Sequence, residues 1–184
     1  MAVEIERKFL VVGDDWRQGA VGERYRQGYL CISADATVRV RLAGAVGYLT
    51  VKGITAGMSR AEFEYEIPAA DAEAILRDHC QKPLIEKVRF TLSYGGKTWT
   101  VDVFEKLNNG LILAEVELDS ADETIPLPPW AGEEVTDDPR YRNSSLVSTP
   151  LGADHTASKD ALRAGQSTLY FGLKDGFTDH GEPA

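Results

Sequence analysis

Cysteine, histidine and positive charge are what this 184-residue chain has least of. Cys31 and Cys80 are too few for a disulfide framework and do not stand at metal-binding spacing, which leads to the expectation of a reduced, cytoplasmic protein. The three histidines (His79, His155, His180) are scattered, two of them in a stretch that reads as a tail. No apolar run approaches the roughly 20 residues that a membrane span needs, and no basic-then-apolar leader opens the sequence. GxxxxGK[ST], GxGxxG and HExxH are all missing, so phosphate-loop, dinucleotide and zinc-protease readings lack support. Lysine and arginine total 20 against 29 acidic residues, a net charge of −9. That balance argues against broad binding to nucleic acid, but not against a small polyanion held in a basic cavity, because local field and net charge are separate quantities. The 43% hydrophobic and 27% charged fractions are ordinary, and the length suits a single domain with a real core.

What the chain does have is alternation. Glu4, Glu6 and Lys8 fall on one face of a strand, with Val3, Ile5 and Phe9 on the other. The same period of two runs through Tyr25–Ile32, Thr37–Leu42, Tyr48–Lys52, Arg60–Ile67, Ile85–Leu92, Lys97–Phe104 and Leu111–Asp119. Gly95-Gly96 predicts a hairpin turn. Ala69 to Cys80 predicts a helix, with Ala72, Ile75, Leu76 and His79 near helical spacing. Ser120-Ala121-Asp122-Glu123 has the form of a capping box and predicts a second, short helix. Asp138-Pro139 predicts a third, over Arg140 to Val147. From about residue 151 the pattern decays into a C-terminal extension, 151–184, read as a weak helix or a flexible tail; residues 1–150 then form the domain.

The charges on these strands sort into two sets. Lys8, Arg39, Arg41, Lys52, Arg60, Lys87 and Arg89 are basic; Glu4, Glu6, Glu62, Glu64, Asp102, Glu115 and Glu117 are acidic. Antiparallel sheets bury one face and wet the other. A flat, exposed face of such mixed charge has no evident purpose, whereas a closed barrel with helices on its outside would make it a water-filled lumen. Arginine binds phosphate oxygens in a bidentate fork, lysine acts as a point charge, and carboxylates suit Mg²⁺ or Mn²⁺. No Ser-His-Asp or Cys-His arrangement is visible. Metal-assisted attack by water on a phosphoanhydride is therefore the leading reaction type.

Glu4-x-Glu6-x-Lys8 with Phe9-Leu10-Val11 resembles the ExExK signature of the CYTH superfamily, the triphosphate tunnel metalloenzymes. Gln27-Gly28-Tyr29-Leu30, Val38-Arg39-Val40-Arg41, Thr50-Val51-Lys52-Gly53, Arg60-x-Glu62-x-Glu64, Glu86-Lys87-x-Arg89, Val101-Asp102-Val103-Phe104 and Leu113-Ala114-Glu115-Val116-Glu117 follow in order. Trp130 to Asn143 is similar to the C-terminal part of small bacterial members. The resemblance implies an α+β fold built on an eight-stranded antiparallel β-barrel forming a tunnel. It implies that the seven basic residues grip phosphates and that the seven acidic ones hold Mg²⁺ or Mn²⁺, directly or through water. Glu115 and Glu117 are the expected catalytic carboxylates, and loss of turnover with retained binding on changing either to Gln would separate an enzyme from a binder. It further implies that Tyr29 closes over substrate at a tunnel mouth and that Arg142 reaches the tunnel end from a short C-terminal helix. Glu105 to Asn108 departs from the family pattern, where many relatives have a glycine-containing turn.

Cleavage of inorganic tripolyphosphate is the reaction this predicts. A class IV adenylate cyclase and a thiamine triphosphatase are the alternatives within the fold, and a non-catalytic polyphosphate or nucleotide binder the alternative outside it. The partners expected are a small-molecule triphosphate, neither nucleic acid nor membrane, and, as an oligomeric state left open, a homodimer.

Overall fold

Most strands of this protein carry one row with charged residues and one apolar row, and the pairing of strands gathers those charged rows on one side. A computed structural model describes residues 2–56 and 59–152, apart from the side chains of residues 2, 3, 55, 56, 59 and 60. The expected extension, from residue 153 onward, and the side chain of Arg60 lie outside the described residues. The strands are β1 (Ala2–Val11), β2 (Gly22–Ile32), β3 (Thr37–Ala43), β4 (Val46–Ala56), β5 (Ser59–Ile67), β6 (Ile85–Tyr94), β7 (Lys97–Phe104), β8 (Ile112–Glu117) and β9 (Ala131–Glu134). All pair antiparallel, in the order β5-β4-β3-β2-β6-β7-β8-β1-β9. β1 also pairs with β5: Ala2 to Ile5 face β5, and Glu6 to Leu10 face β8.

Among the described residues the sheet has nine strands where the alternation led to eight. β9 joins β1 opposite Phe9 and Val11. Its Ala-Gly-Glu-Glu sequence carries no apolar alternation, so only its backbone pairing makes it a strand. Gly132 is what lets it approach, since a Cβ there would stand 2.9 Å from the Leu10 carbonyl oxygen. The Gly95-Gly96 turn is as expected, both residues at positive φ (59° and 79°). In the departing loop, Lys106 takes φ 56°, a conformation that glycine adopts more readily.

Two apolar clusters lie on the faces turned away from the charged rows. α1 (Ala69–Asp78) lays Ala72 and Leu76 against Val40 and Leu42, with Leu49, Ile67 and Ile75 around them. Around Trp99, which is fully buried, Phe9 and Trp130 pack at ring-centroid distances of 5.6 and 5.4 Å, together with Val101, Ala114 and Val116. Leu118, Ile125 and Trp130 bring the stretch after β8 onto this cluster. That stretch is not the short helix its capping box predicts. Glu123 does accept a hydrogen bond from the Asp119 backbone N–H. Pro126, Pro128 and Pro129 then follow, and they lack the N–H groups a helix needs.

A third cluster occupies the charged side itself. At one end the inward rows turn apolar, through Leu10, Tyr29, Ile85 and Leu113, and Tyr141, Leu146 and Val147 fill the space between them. The single helix expected over Arg140 to Val147 is instead a 3-10 turn, Pro139–Tyr141, and a short α2, Ser145–Ser148. Asp138 caps the turn by accepting from the Arg140 N–H. Arg142 is extended (φ −73°, ψ 134°), and this bend seats Tyr141 and Leu146 in the same cluster.

Candidate functional site

Strand registration converts the alternating rows into the lining of one cavity of about 560 Å³. Glu4, Glu6 and Lys8 of β1, Arg39 and Arg41 of β3, and Lys52 of β4 all face it. So do Glu62 and Glu64 of β5, Arg89 of β6, and Glu115 and Glu117 of β8. Tyr29 and Arg142 lie at the same cavity. Tyr29 is 5% exposed and belongs to the apolar cluster that fills one end. Lys87 and Asp102 share the inward face with Arg89 but are buried beneath the lining, each 1% exposed. Arg60 is opposite Glu4 in the β1–β5 pairing by its backbone.

Charges of opposite sign meet at every level of the lining. Lys52 Nζ donates to both carboxylate oxygens of Glu4, at 3.1 and 2.9 Å, and stands 3.0 Å from Glu62. Glu64 accepts from Arg41 at 2.8 Å, from Arg39 at 3.5 Å and from the Thr50 hydroxyl at 2.7 Å. Lys8 Nζ lies 3.0 Å from Glu115 and 3.8 Å from Glu6. Arg89 forks onto Asp102 at 2.7 and 2.6 Å and donates to Glu115 at 2.8 Å. Behind it, Lys87 Nζ donates to Asp102 at 2.5 Å and to the Asn143 side-chain oxygen at 3.5 Å. Both Asp102 oxygens are thereby engaged, so this carboxylate anchors Arg89 and Lys87.

Burial and partners pull the carboxylates apart in acidity. Burial would raise Glu115, but Lys8, Arg89 and Lys87 outweigh it and hold the carboxyl well below its ordinary range. Burial would likewise raise Asp102, which Lys87 and Arg89 hold down. Burial pulls the Lys87 ammonium down to about 8, against the opposing pull of Asp102. Glu6 behaves otherwise: burial pushes it up, Glu115 and Glu4 add to that, and Lys8 and Lys52 only partly offset it. Burial and a hydrogen bond with Glu4 raise Glu62 in the same way.

Crowded carboxylates with raised proton affinity are what a hard cation relieves. Among the described residues no three carboxylates converge as a ready-made ligand set. Pairs do, Glu4 with Glu62 and Glu6 with Glu115. Mg²⁺ is commonly held by one or two carboxylates, with substrate phosphates and water completing its six oxygens, so the donor set fits such an ion.

Among the lining residues that escaped the charged-row reading are Tyr25, the threonines Thr91, Thr98 and Thr100, Thr136, and Asn143. Tyr25 shares a strand face with Tyr29, and Thr91 shares one with Arg89, so the same period of two would have found them had neutral residues been followed. Thr136 and Asn143 gave no such signal, since their loop is placed by Tyr141 and Leu146.

A family model described as the CYTH domain matches residues 2–148. An inorganic triphosphatase from Acetivibrio thermocellus is 50% identical over 150 residues, which span 82% of this chain and 96% of that protein. An inorganic triphosphatase from Nitrosomonas europaea is 40% identical over 150 residues, spanning 78% and 96%. A solved crystal structure of an inorganic triphosphatase superposes with a TM-score of 0.58 at 34% identity, covering 83% of this chain and 99% of that one.

Proposed function

This chain belongs to the CYTH domain family, and on that premise we infer that it is an inorganic triphosphatase. It is a hydrolase that splits tripolyphosphate into pyrophosphate and phosphate. The observation that carries this reading is that each described cation on the inward strand rows already stands beside an inward carboxylate. A triphosphate entering alone would take the cations and leave those carboxylates unpaired beside its own charge. Entering together with a divalent cation, it exchanges partners: phosphate oxygens go to lysine and arginine, carboxylates to the cation.

In this reading Lys8, Arg39, Arg41, Lys52, Arg60, Arg89 and Arg142 bind phosphate oxygens, and Lys87, buried beside Asp102, adds its charge from beneath them. Glu4, Glu6, Glu62, Glu64, Glu115 and Glu117 would hold Mg²⁺ or Mn²⁺. Asp102 keeps Arg89 aimed at the cavity. The ion, when bound, would neutralise charge on the phosphate oxygens and lower the pKa of a water. The water oxygen bonds to the terminal phosphorus, the bridging P–O bond breaks, and pyrophosphate leaves. The proton that the water gives up passes to the departing pyrophosphate or to solvent, while Glu115, held ionised by Lys8, Arg89 and Lys87, keeps its charge toward the cavity.

We further propose that the second pairing of β1, onto β5, closes eight strands into a tunnel with β9 outside the ring. The stretch 139–148 fills one end, and Tyr29 packs there. The tunnel domain ends near residue 150, with 151–184 an extension. Two unpaired cysteines, Cys31 exposed, fit a reducing cytoplasm.

Phosphate release from tripolyphosphate and ATP, each with Mg²⁺, Mn²⁺ or EDTA, tests the reading. Metal-dependent release that strongly prefers tripolyphosphate is the expected outcome. Cyclic AMP formed from ATP would move the assignment to a cyclase, and binding without turnover to a binding protein.

A further inference from the structure

Four planar groups from four different strands stack across the cavity wall. The Arg41 guanidinium carbon lies 5.0 Å from the centroid of the Tyr48 ring and 5.2 Å from that of Tyr25. The Arg89 guanidinium carbon lies 5.5 Å from the same Tyr25 centroid. Tyr48 belongs to β4, Arg41 to β3, Tyr25 to β2 and Arg89 to β6, so the stack runs Tyr48, Arg41, Tyr25, Arg89 along the hydrogen-bonded strands. Tyr25 and both arginines line the cavity. All three separations are within the range at which a ring quadrupole attracts a cation.

The two arginines are held at their far ends by different carboxylates, Arg41 by Glu64 and Arg89 by Asp102 and Glu115. The Tyr25 ring meets both guanidiniums. Burial lowers the proton affinity of Arg41, and the charges of Arg39 and Arg89 lower it further, so the two guanidiniums feel one another. A carboxylate in place of Tyr25 would draw both arginines onto itself and compete with phosphate. An aliphatic side chain would leave two like charges facing each other across a gap. An aromatic ring attracts both without neutralising either, and it occupies their faces while leaving N–H edges for anions. The Arg41 Nε is consistent with this: it is buried and has no hydrogen-bond partner in the protein.

We propose that Tyr25 is a positioning residue that keeps Arg41 and Arg89 one ring apart, as two separate phosphate contacts. The site thereby favours a chain of three phosphates over a shorter one. This rests on the triphosphatase reading above. A triphosphate reaches both guanidiniums, whereas pyrophosphate is satisfied by one of them and gains little from their spacing. Tyr48, directly opposite Arg41 in the β3–β4 pairing and so on the same face, holds the side of that guanidinium turned away from Tyr25.

The test uses the full-length chain with Mg²⁺ and compares wild type, Tyr25→Phe, Tyr25→Leu and Tyr48→Leu. KM and kcat are measured for tripolyphosphate, and the inhibition constant for pyrophosphate. Tyr25→Leu is expected to raise KM about tenfold, the scale of losing two cation–π contacts, with kcat and the pyrophosphate constant within about twofold of wild type. Tyr25→Phe keeps the ring and should match wild type. Tyr48→Leu, which leaves Tyr25 in place and guards against a misfolded Tyr25→Leu, should raise KM in the same direction by a smaller factor. The proposal is overturned if KM and the pyrophosphate constant rise together, if KM is unchanged in the leucine variants, or if Tyr25→Phe behaves like Tyr25→Leu. A wild-type protein without tripolyphosphate turnover would overturn the functional reading itself, and the ladder's role with it.

Discussion

Changing Asp102 to Asn separates two roles that its position in the chain leaves mixed. Were Asp102 a ligand for the divalent ion, the amide would end turnover and leave the fold nearly untouched. We propose another task for it, because both oxygens are spent on Lys87 and Arg89 and the side chain is 1% exposed. Removing its charge leaves Lys87, itself 1% exposed, without a carboxylate in contact, beside the Asn143 oxygen at 3.5 Å and the Phe104 ring. Breaking one side of a buried pair costs about 3–5 kcal/mol. For a chain of this size that lowers Tm by roughly 6–20 °C. Lys87 sets the pH dependence. Burial already holds its folded pKa at about 8, below the ordinary 10.5. The unfolded chain therefore binds this proton more tightly, and the Lys87 contribution to stability rises with pH between those two values. Without Asp102 the folded pKa falls further and the rise begins at lower pH, so the deficit of Asp102→Asn should be larger at pH 7 than at pH 9. Thermal unfolding at both pH values, alongside turnover at pH 7, is the assay. Adding Lys87→Met to Asp102→Asn should recover part of the lost Tm, because no uncompensated charge stays buried. An Asp102→Asn protein that melts within about 2 °C of wild type yet has lost turnover would refute the reasoning and restore Asp102 to the ligand set.

Glu115→Gln removes the charge that faces Lys8 and Arg89, and turnover should fall about a hundredfold or more, the scale of losing one electrostatic stabiliser; steady-state kinetics with unchanged kcat would contradict this. Gly28→Ala would place a Cβ 2.7 Å from both Cys80 Cβ and Leu84 Cδ2, so it should cost about 1–3 kcal/mol in chemical denaturation by pushing on the chain just after α1. Activity should fall on the acid side at a higher pH than an ordinary carboxylate would set. Burial and neighbouring carboxylates raise Glu6 and Glu62, and each must lose its proton before it can hold a cation. A pH–rate profile flat down to pH 4 would count against the two as cation ligands.

The charged rows were legible because a strand alternates its faces, and a period of two needs no knowledge of what lies across the sheet. That is why eleven of the fourteen charged strand residues singled out from the sequence do line one cavity, as Glu4, Lys52 and Glu115 illustrate. The same period was silent on depth. Asp102 alternates just as Glu115 does, and it is buried because Lys87 and Arg89 on the neighbouring β6 close over it. β9 was invisible because its four residues carry no pattern and depend on backbone pairing with β1. The capping box after β8 was legible and misleading, since a cap starts a helix only where the following residues can continue it.

By itself, then, the order of amino acids determined which side chains share a face, that cations and carboxylates alternate along those faces, and the family to which such a series belongs. The tertiary structure alone decided which charge sits against which, that Tyr25 stands between Arg41 and Arg89, and that Leu10, Tyr29, Ile85 and Leu113 make one end apolar for Tyr141 and Leu146 to fill. The division has a physical cause. Facing is a property of one strand's pleat, whereas partner, depth and closure are properties of registration between strands far apart in the chain.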